Sequence, residues 1–172
     1  CLSRGLGDVY KSQVLRGFAP HCLYAYCAME QAIRDAGLSP EEVSNVMTGM
    51  YTASAGSSGM LYHHMQKMDK VGPLRCFPFA IVCSIVGTLS FNLVSAYKIK
   101  GASCGFASAC ASSAHAMGFA FDEIASGRQK RMFVVGGEDG NMRTLLPFVG
   151  MRALSVNPDP ETASRPFDKN RD

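Results

Sequence analysis

The sequence predicts an α/β sandwich with mainly parallel strands, on three observations. Helical and strand-like segments alternate along the chain, an order that parallel strands with crossover helices require. The strand-like runs are short and uncharged, as strands covered on both faces are. The chain has 172 residues, 47% of them hydrophobic and only 18% charged, enough for one domain with a sizeable core and for extra apolar surface buried against something else.

The elements follow in order. Residues 1–17 carry little pattern and read as a loop with a few basic side chains. A helix is predicted over 20–36, because Pro20 suits a first turn and Ala28-Met-Glu-Gln-Ala-Ile33 is strong helix chemistry. Gly37 is its natural cap and Leu38-Ser39-Pro40 ends it. A strand over 46–53 is bounded by the Gly/Ser-rich turn 54–59. A short helix over 60–68 follows, then a loop holding Gly72, Pro73 and Pro78. A long helix is predicted over 80–97, with Lys98, Lys100 and Gly101 as a basic end and stop. Residues 103–108 read as a buried strand and residues 110–127 as a helix of small side chains. Residues 132–137 are the clearest strand, a continuous apolar run. Residues 163–172 look like a structured loop.

Several function classes are disfavoured by composition. A net charge of +3 and an isoelectric point near 8.5 are too mild to argue for nucleic acid, and would suit an acidic protein partner. From Cys76 to Tyr97 there are 22 residues without a charge, long enough to span a bilayer. Pro78, Gly87, Asn92 and scattered Ser and Thr interrupt that stretch, so it reads as a buried interface helix and no membrane span is expected. The first residues show no apolar signal-peptide core, and the chain does not begin with Met, which reads as a processed or cut start. Seven cysteines without a paired spacing read as thiols in a reducing, cytoplasmic compartment.

Cys110 leads the candidates for chemistry. It stands between a strand and a helix, where unpaired backbone N–H groups and the positive end of the helix dipole favour a thiolate. Its Ala and Ser neighbours let the backbone approach closely. The competing reading is a small buried core thiol. His115 lies five residues on, about 140° away around a helix axis, and reads as a satisfied structural side chain. His63 and His64 have no partner at metal-ligand spacing, so no metal is expected. His21 reads as a surface or capping residue. The segment Ala55-Gly-Ser-Ser-Gly59 lacks the Gly-Lys-Ser/Thr ending of a phosphate loop. Glu138, after Gly136-Gly137, reads equally as a hydrogen-bonding or a solvated carboxylate.

Six blocks then carry a family resemblance: Ala28-Met-Glu-Gln-Ala-Ile-Arg-Asp-Ala-Gly-Leu-Ser-Pro40, Tyr97-Lys-Ile-Lys-Gly101, Ala107-Ser-Ala-Cys-Ala-Ser-Ser-Ala-His115, Val134-Val-Gly-Gly-Glu138, Met151-Arg-Ala-Leu-Ser155 and Ala163-Ser-Arg-Pro-Phe-Asp-Lys-Asn-Arg-Asp172. In this order the chain resembles the elongating β-ketoacyl-[acyl carrier protein] synthases, closest to the branch with the type I bacterial condensing enzymes. The resemblance implies a thiolase-like layered α/β fold, of which this chain is part of the N-terminal half, a single partial domain over 1–172. It implies that Cys110 is the acyl-accepting nucleophile, with its backbone N–H in the oxyanion hole. It also implies acyl carrier protein as partner, substrates carried on phosphopantetheine, no separate cofactor, and a homodimer paired across the strand 103–108.

The departures are equally specific. The family's two catalytic histidines and its lysine belong to a second half with no counterpart here, so none of His21, His63, His64 or His115 inherits those roles. The family's first, central strand has no counterpart either. Without it the strand 132–137 is expected to separate from the strands 46–53 and 103–108, leaving unpaired edges. Ser12-Gln13 replace a basic pair near the start, although Lys11 and Arg16 remain. The isolated chain is expected to be poorly folded and inactive. The alternatives are a truncated or decayed non-catalytic member and a fragment of a polyketide ketosynthase. Relatives that lack the nucleophile are disfavoured by the presence of Cys110.

Overall fold

A computed structural model describes residues 16–172, so the basic loop expected over 1–17 lies, up to Leu15, outside the described residues. The chain forms two compact units, one ending at Asp139 and one beginning at Gly140.

The first unit opens with helix α1 (Pro20–Asp35), which has Pro at its start and Arg34 in its last turn. Gly37 takes φ 63, and the N–H groups of Gly37 and Leu38 reach back to the carbonyls of Arg34 and Ile33. This is the glycine-stopped helix end that the sequence predicts. A one-turn helix, α2 (Pro40–Val43), follows on a capping box between Ser39 and Glu42. Strand β1 (Thr48–Ala53) leads to helix α3 (Ser58–Val71), none of whose residues is buried.

The long helix expected over 80–97 is shorter than predicted. Helix α4 covers only Thr88–Tyr97, and the ten residues before it form successive turns. The Thr88 hydroxyl donates there to the Val82 carbonyl six residues back, a reach that turns allow and a continuous helix does not. Among the described residues no helix is long and apolar enough to cross a membrane. Strand β2 (Ser103–Phe106), helix α5 (Ser112–Ala125) and strand β3 (Arg131–Gly136) complete the unit.

The three strands form one parallel sheet in the order β2-β1-β3. The expected separation does not occur. β1 itself is central and pairs with β3 from Thr48↔Arg131 to Ala53↔Gly136. Closing the sheet satisfies backbone groups that a gap would leave unpaired. β1 is buried along its whole length, whereas Ser103, Cys104 and Gly105 of β2 are exposed at the edge. The reading of 103–108 as a buried strand is therefore corrected for this chain, because nothing covers its outer side among the described residues.

Alternation along β1 sorts the core into two layers. Met50 faces α1 and α4 with Val135, Cys22, Ala25, Met29, Leu89 and Leu93. Tyr51 and Ala53 face α5 through Ala116 and Ala120, one turn apart and small enough to bring that helix close to the sheet. The Tyr51 hydroxyl donates to Glu123 at 3.0 Å, and Arg128 grips the same carboxylate through two nitrogens at 2.9 and 3.2 Å. The guanidinium holds the Glu123 carboxyl below its usual range. These bonds tie the far end of α5 to β1.

The second unit holds helix α6 (Met142–Gly150), capped by Asn141, and the single turn α7 (Pro160–Ala163). The Asp172 carboxylate accepts from the Ser155 hydroxyl at 2.8 and 3.0 Å and from the N–H groups of Val156 and Asn157 at 2.6 and 3.1 Å. These donors, the Ser155 hydroxyl foremost, hold its pKa down. The segment 163–172 is thus the structured loop that the sequence suggests.

Candidate active site

In a parallel sheet the carboxyl ends of all strands point the same way, and the loops beyond them form the usual place for a site. Here those loops are 54–57, 107–111 and 137–139. Cys110 stands in the second of them, exposed, between the edge strand β2 and α5. The helix expected from residue 110 begins at Ser112, with Ala111 as its cap. The thiol therefore sits in the turn before the helix and is not the buried core thiol of the competing reading.

The turn itself is unusual. The Ala111 N–H closes on the Ser108 carbonyl at 3.1 Å, which makes Ala109 and Cys110 the two central residues. Ala109 has φ 50, and no positive φ occurs at Cys110. Positive φ at the first central residue alone is the pattern of a type II′ turn, where glycine is the usual occupant. Holding alanine there costs about 1–3 kcal/mol. Ser112, which is buried, offsets that cost locally. Its hydroxyl accepts from the Ser108 N–H at 2.8 Å and donates to the Ala109 carbonyl at 2.7 Å. Neither the positive φ nor this bracket is evident from residue types. The one sequence signal is a serine two positions beyond the cysteine, at a helix start, where hydroxyls commonly bond local backbone.

The adjoining loops are tied to each other. Ala55 donates its N–H to Glu138 at 2.6 Å, Gly137 donates its N–H to the Ala53 carbonyl at 3.1 Å, and the Ser57 hydroxyl donates to the buried Asp139. Glu138 is thus a hydrogen-bonding carboxylate at an exposed position. Gly56, between these loops, has φ 80, and a Cβ there would meet the Ser84 carbonyl at 2.8 Å. A glycine is required at that corner. At the end of β3 a Cβ on Gly136 would approach the Ser113 hydroxyl at 3.1 Å, so the bare backbone lets the start of α5 close over the sheet.

None of the histidines makes a hydrogen bond to Cys110. His115 bonds through Nδ1 to the Ser108 hydroxyl at 2.7 Å, the satisfied role expected of it. His63 and His64 lie on the exposed helix α3 with ring centroids 5.6 Å apart. Among the described residues no group of three or more metal-ligating side chains could hold an ion.

His21 is a correction. It is fully buried in the first turn of α1, not at the surface, and its Nδ1 has no hydrogen-bond partner among the described residues. The first turns of α1 pack close to Gly137, where an added Cβ would meet the His21 carbonyl at 3.4 Å and the Ala25 Cβ at 3.5 Å. Burial pushes the His21 pKa below its ordinary 6.5, against the pull of Asp139 and Glu138. Below about pH 6.5 the unfolded chain therefore binds more protons at this position than the folded one. Stability should be complete above that pH and fall as the pH drops through it. Thermal unfolding at about pH 7.5 and 5.5 tests this: His21→Gln should flatten the dependence, and an unchanged slope would refute it.

Two other thiols are buried, Cys22 and Cys83. Burial pushes Cys22 up to about 11 and raises Cys83 as well. Cys104 on the edge strand is the other exposed thiol among the described residues.

The model of the N-terminal domain of β-ketoacyl synthases matches residues 12–171. The chain is 35% identical over 93% of its length to 3-oxoacyl-[acyl-carrier-protein] synthase 1 of Haemophilus influenzae, and equally to that of Escherichia coli. It spans about 40% of the length of these curated relatives. A crystal structure of a β-ketoacyl synthase from Burkholderia phymatum superimposes with a TM-score of 0.80 at 29% identity, covering 93% of this chain and 40% of that one. A type II PKS acyl-carrier protein in complex with its ketosynthase bound to the hexaketide also matches. It has a TM-score of 0.73 and 15% identity over 88% of this chain and 44% of that one, a likeness of fold alone.

Proposed function

The chain belongs to the β-ketoacyl synthases, within their N-terminal domain, and on that premise we propose that Cys110 accepts the acyl group in a decarboxylative condensation of fatty-acid synthesis. The observation that carries this reading is the exposed thiol in a strained turn at the carboxyl end of a parallel sheet.

The Cys110 sulfur attacks the carbonyl carbon of an acyl thioester on acyl carrier protein. A new S–C bond forms, and the Cys110 N–H donates to the developing oxyanion. The carrier's S–C bond then breaks, and the phosphopantetheine sulfur leaves as a thiol that takes up the proton Cys110 gave up. In the second half-reaction malonyl-carrier protein loses CO2. Its carbanion attacks the Cys110 thioester, forming a C–C bond and releasing the cysteine. Each step is redox-neutral and the acyl groups arrive activated as carrier thioesters, so on this reading the protein needs no cofactor of its own. The family's histidines and lysine belong to a part of the family enzyme that this chain does not match. We assign condensation to a polypeptide that holds both parts, and only acyl acceptance to the described residues.

The partner on this reading is acyl carrier protein, which the carrier-bound ketosynthase of like fold supports by analogy. A homodimer would add a strand to the exposed edge of β2. The six described cysteines are all free, which suits a cytoplasmic setting. A polyketide ketosynthase would use the same chemistry, but the names of the curated relatives favour fatty-acid synthesis.

Incubation with an acyl-carrier-protein thioester should add one acyl group, located at Cys110 by peptide mass spectrometry and released by hydroxylamine. An adduct only at Cys104, or none, would refute the assignment and favour the non-catalytic alternative.

A further inference from the structure

The nucleophile turn holds an alanine in a conformation that it disfavours, and one side chain spans the strained residue. Ser108 and Ala109 are both bonded to the Ser112 hydroxyl, from the N–H of one and the carbonyl of the other. The Ala109 carbonyl also accepts the Ser112 N–H at 3.1 Å. The Ser108 side chain is not available for this task, because His115 engages it at 2.7 Å.

We propose that Ser112 is a positioning residue for Cys110, its hydroxyl holding the turn so that the thiol and its own N–H face the same acyl carbonyl. The inference rests on Cys110 being the acyl acceptor. Attack on a thioester needs the sulfur on one side of the carbonyl carbon and the N–H donor at its oxygen, both supplied by one residue, so the backbone at residue 110 must be fixed. With positive φ at Ala109 that backbone is not the conformation the local sequence prefers. The buried hydroxyl closes a ring of hydrogen bonds across the peptide just before the nucleophile. Without it the turn can relax toward negative φ at Ala109, rotating the Cys110 N–H away from the carbonyl oxygen while leaving the thiol exposed.

The test separates orientation from exposure. Alkylation by iodoacetamide needs only an accessible thiol, whereas acyl transfer from a carrier-protein thioester needs the aligned N–H as well. In the full chain, Ser112→Ala should lower the rate of Cys110 acylation about 10–100-fold. Its rate of alkylation should stay within about two-fold of the unsubstituted protein, with Cys104 alkylation as the internal reference. Ser112→Thr, which keeps the hydroxyl, should restore acylation. Ser113→Ala, a neighbouring loss of hydroxyl outside the turn, should change neither rate. Acylation of Ser112→Ala at the unsubstituted rate would overturn the proposal. So would a parallel fall in alkylation, or an equal loss in Ser113→Ala. A failure of the unsubstituted chain to acylate at Cys110 would instead refute the functional assignment on which the proposal rests.

Discussion

Cys110→Ala is expected to abolish acyl transfer, with a fall of at least about 10⁴-fold in the rate of acyl-enzyme formation. The size follows from what is lost. The backbone N–H and the surrounding turn remain, so binding and oxyanion stabilisation survive in part, but no atom is left to form the covalent bond. Cys110→Ser keeps an atom in that place and should still lose most of the rate, because a hydroxyl without an adjacent base is an intrinsically weaker nucleophile than sulfur. None of the described histidines hydrogen-bonds to residue 110, and the nearest of them in sequence, His115, is occupied by Ser108. Transfer of labelled acyl groups from carrier protein, followed in a quench series, measures both variants. Retention of more than a few per cent of the rate in Cys110→Ala would move the acceptor to another side chain, with Cys104 the first to examine.

Leu89→Ala should be among the most destabilising single substitutions in the first unit, at about 3–5 kcal/mol. Leu89, on α4, is fully buried against α1 and the sheet, beside Cys22, Met50 and Leu93. A Cβ on Gly137 would reach its Cδ2 at 3.3 Å, so it also fills the space under the loop that carries Glu138 and Asp139. Removing three carbons leaves a cavity that the flanking backbone cannot close, since β1 and β3 are locked in register. Against a typical total of about 5–15 kcal/mol, such a loss is a large fraction of all stability. Urea unfolding followed by circular dichroism reads it directly, and a loss below about 1 kcal/mol would mean that this core is not packed as described. The comparison with Leu74, which is almost wholly exposed, calibrates the measurement, because Leu74→Ala should change little.

The candidate site was partly legible in the chain. Cys110 between a strand and a small-residue helix is a local pattern, and so are the glycine stop after α1 and the apolar run of β3. Each depends on residues within a few positions of one another, which is why periodicity and turn chemistry reveal them. The helix over 80–97 failed for a reason of the same scale. Its uncharged composition suits a helix, but the Thr88 hydroxyl bonds the Val82 carbonyl across a turn that a continuous helix could not make.

The sequence by itself determined the order of the elements, the parallel α/β class, the family, and the place of Cys110 between a strand and a helix. Tertiary structure alone decided that β1 is the central strand, that β2 is an open edge, that His21 is enclosed beside Asp139, and that Ser112 brackets a strained Ala109. The first three of these features arise from pairing and packing between segments far apart in the chain, whereas the bracket at Ala109 is local and turns on a backbone angle that residue types do not reveal. Residue type limits what a side chain can do. Which backbone groups remain to be satisfied, and what covers each face, is settled only when distant segments meet.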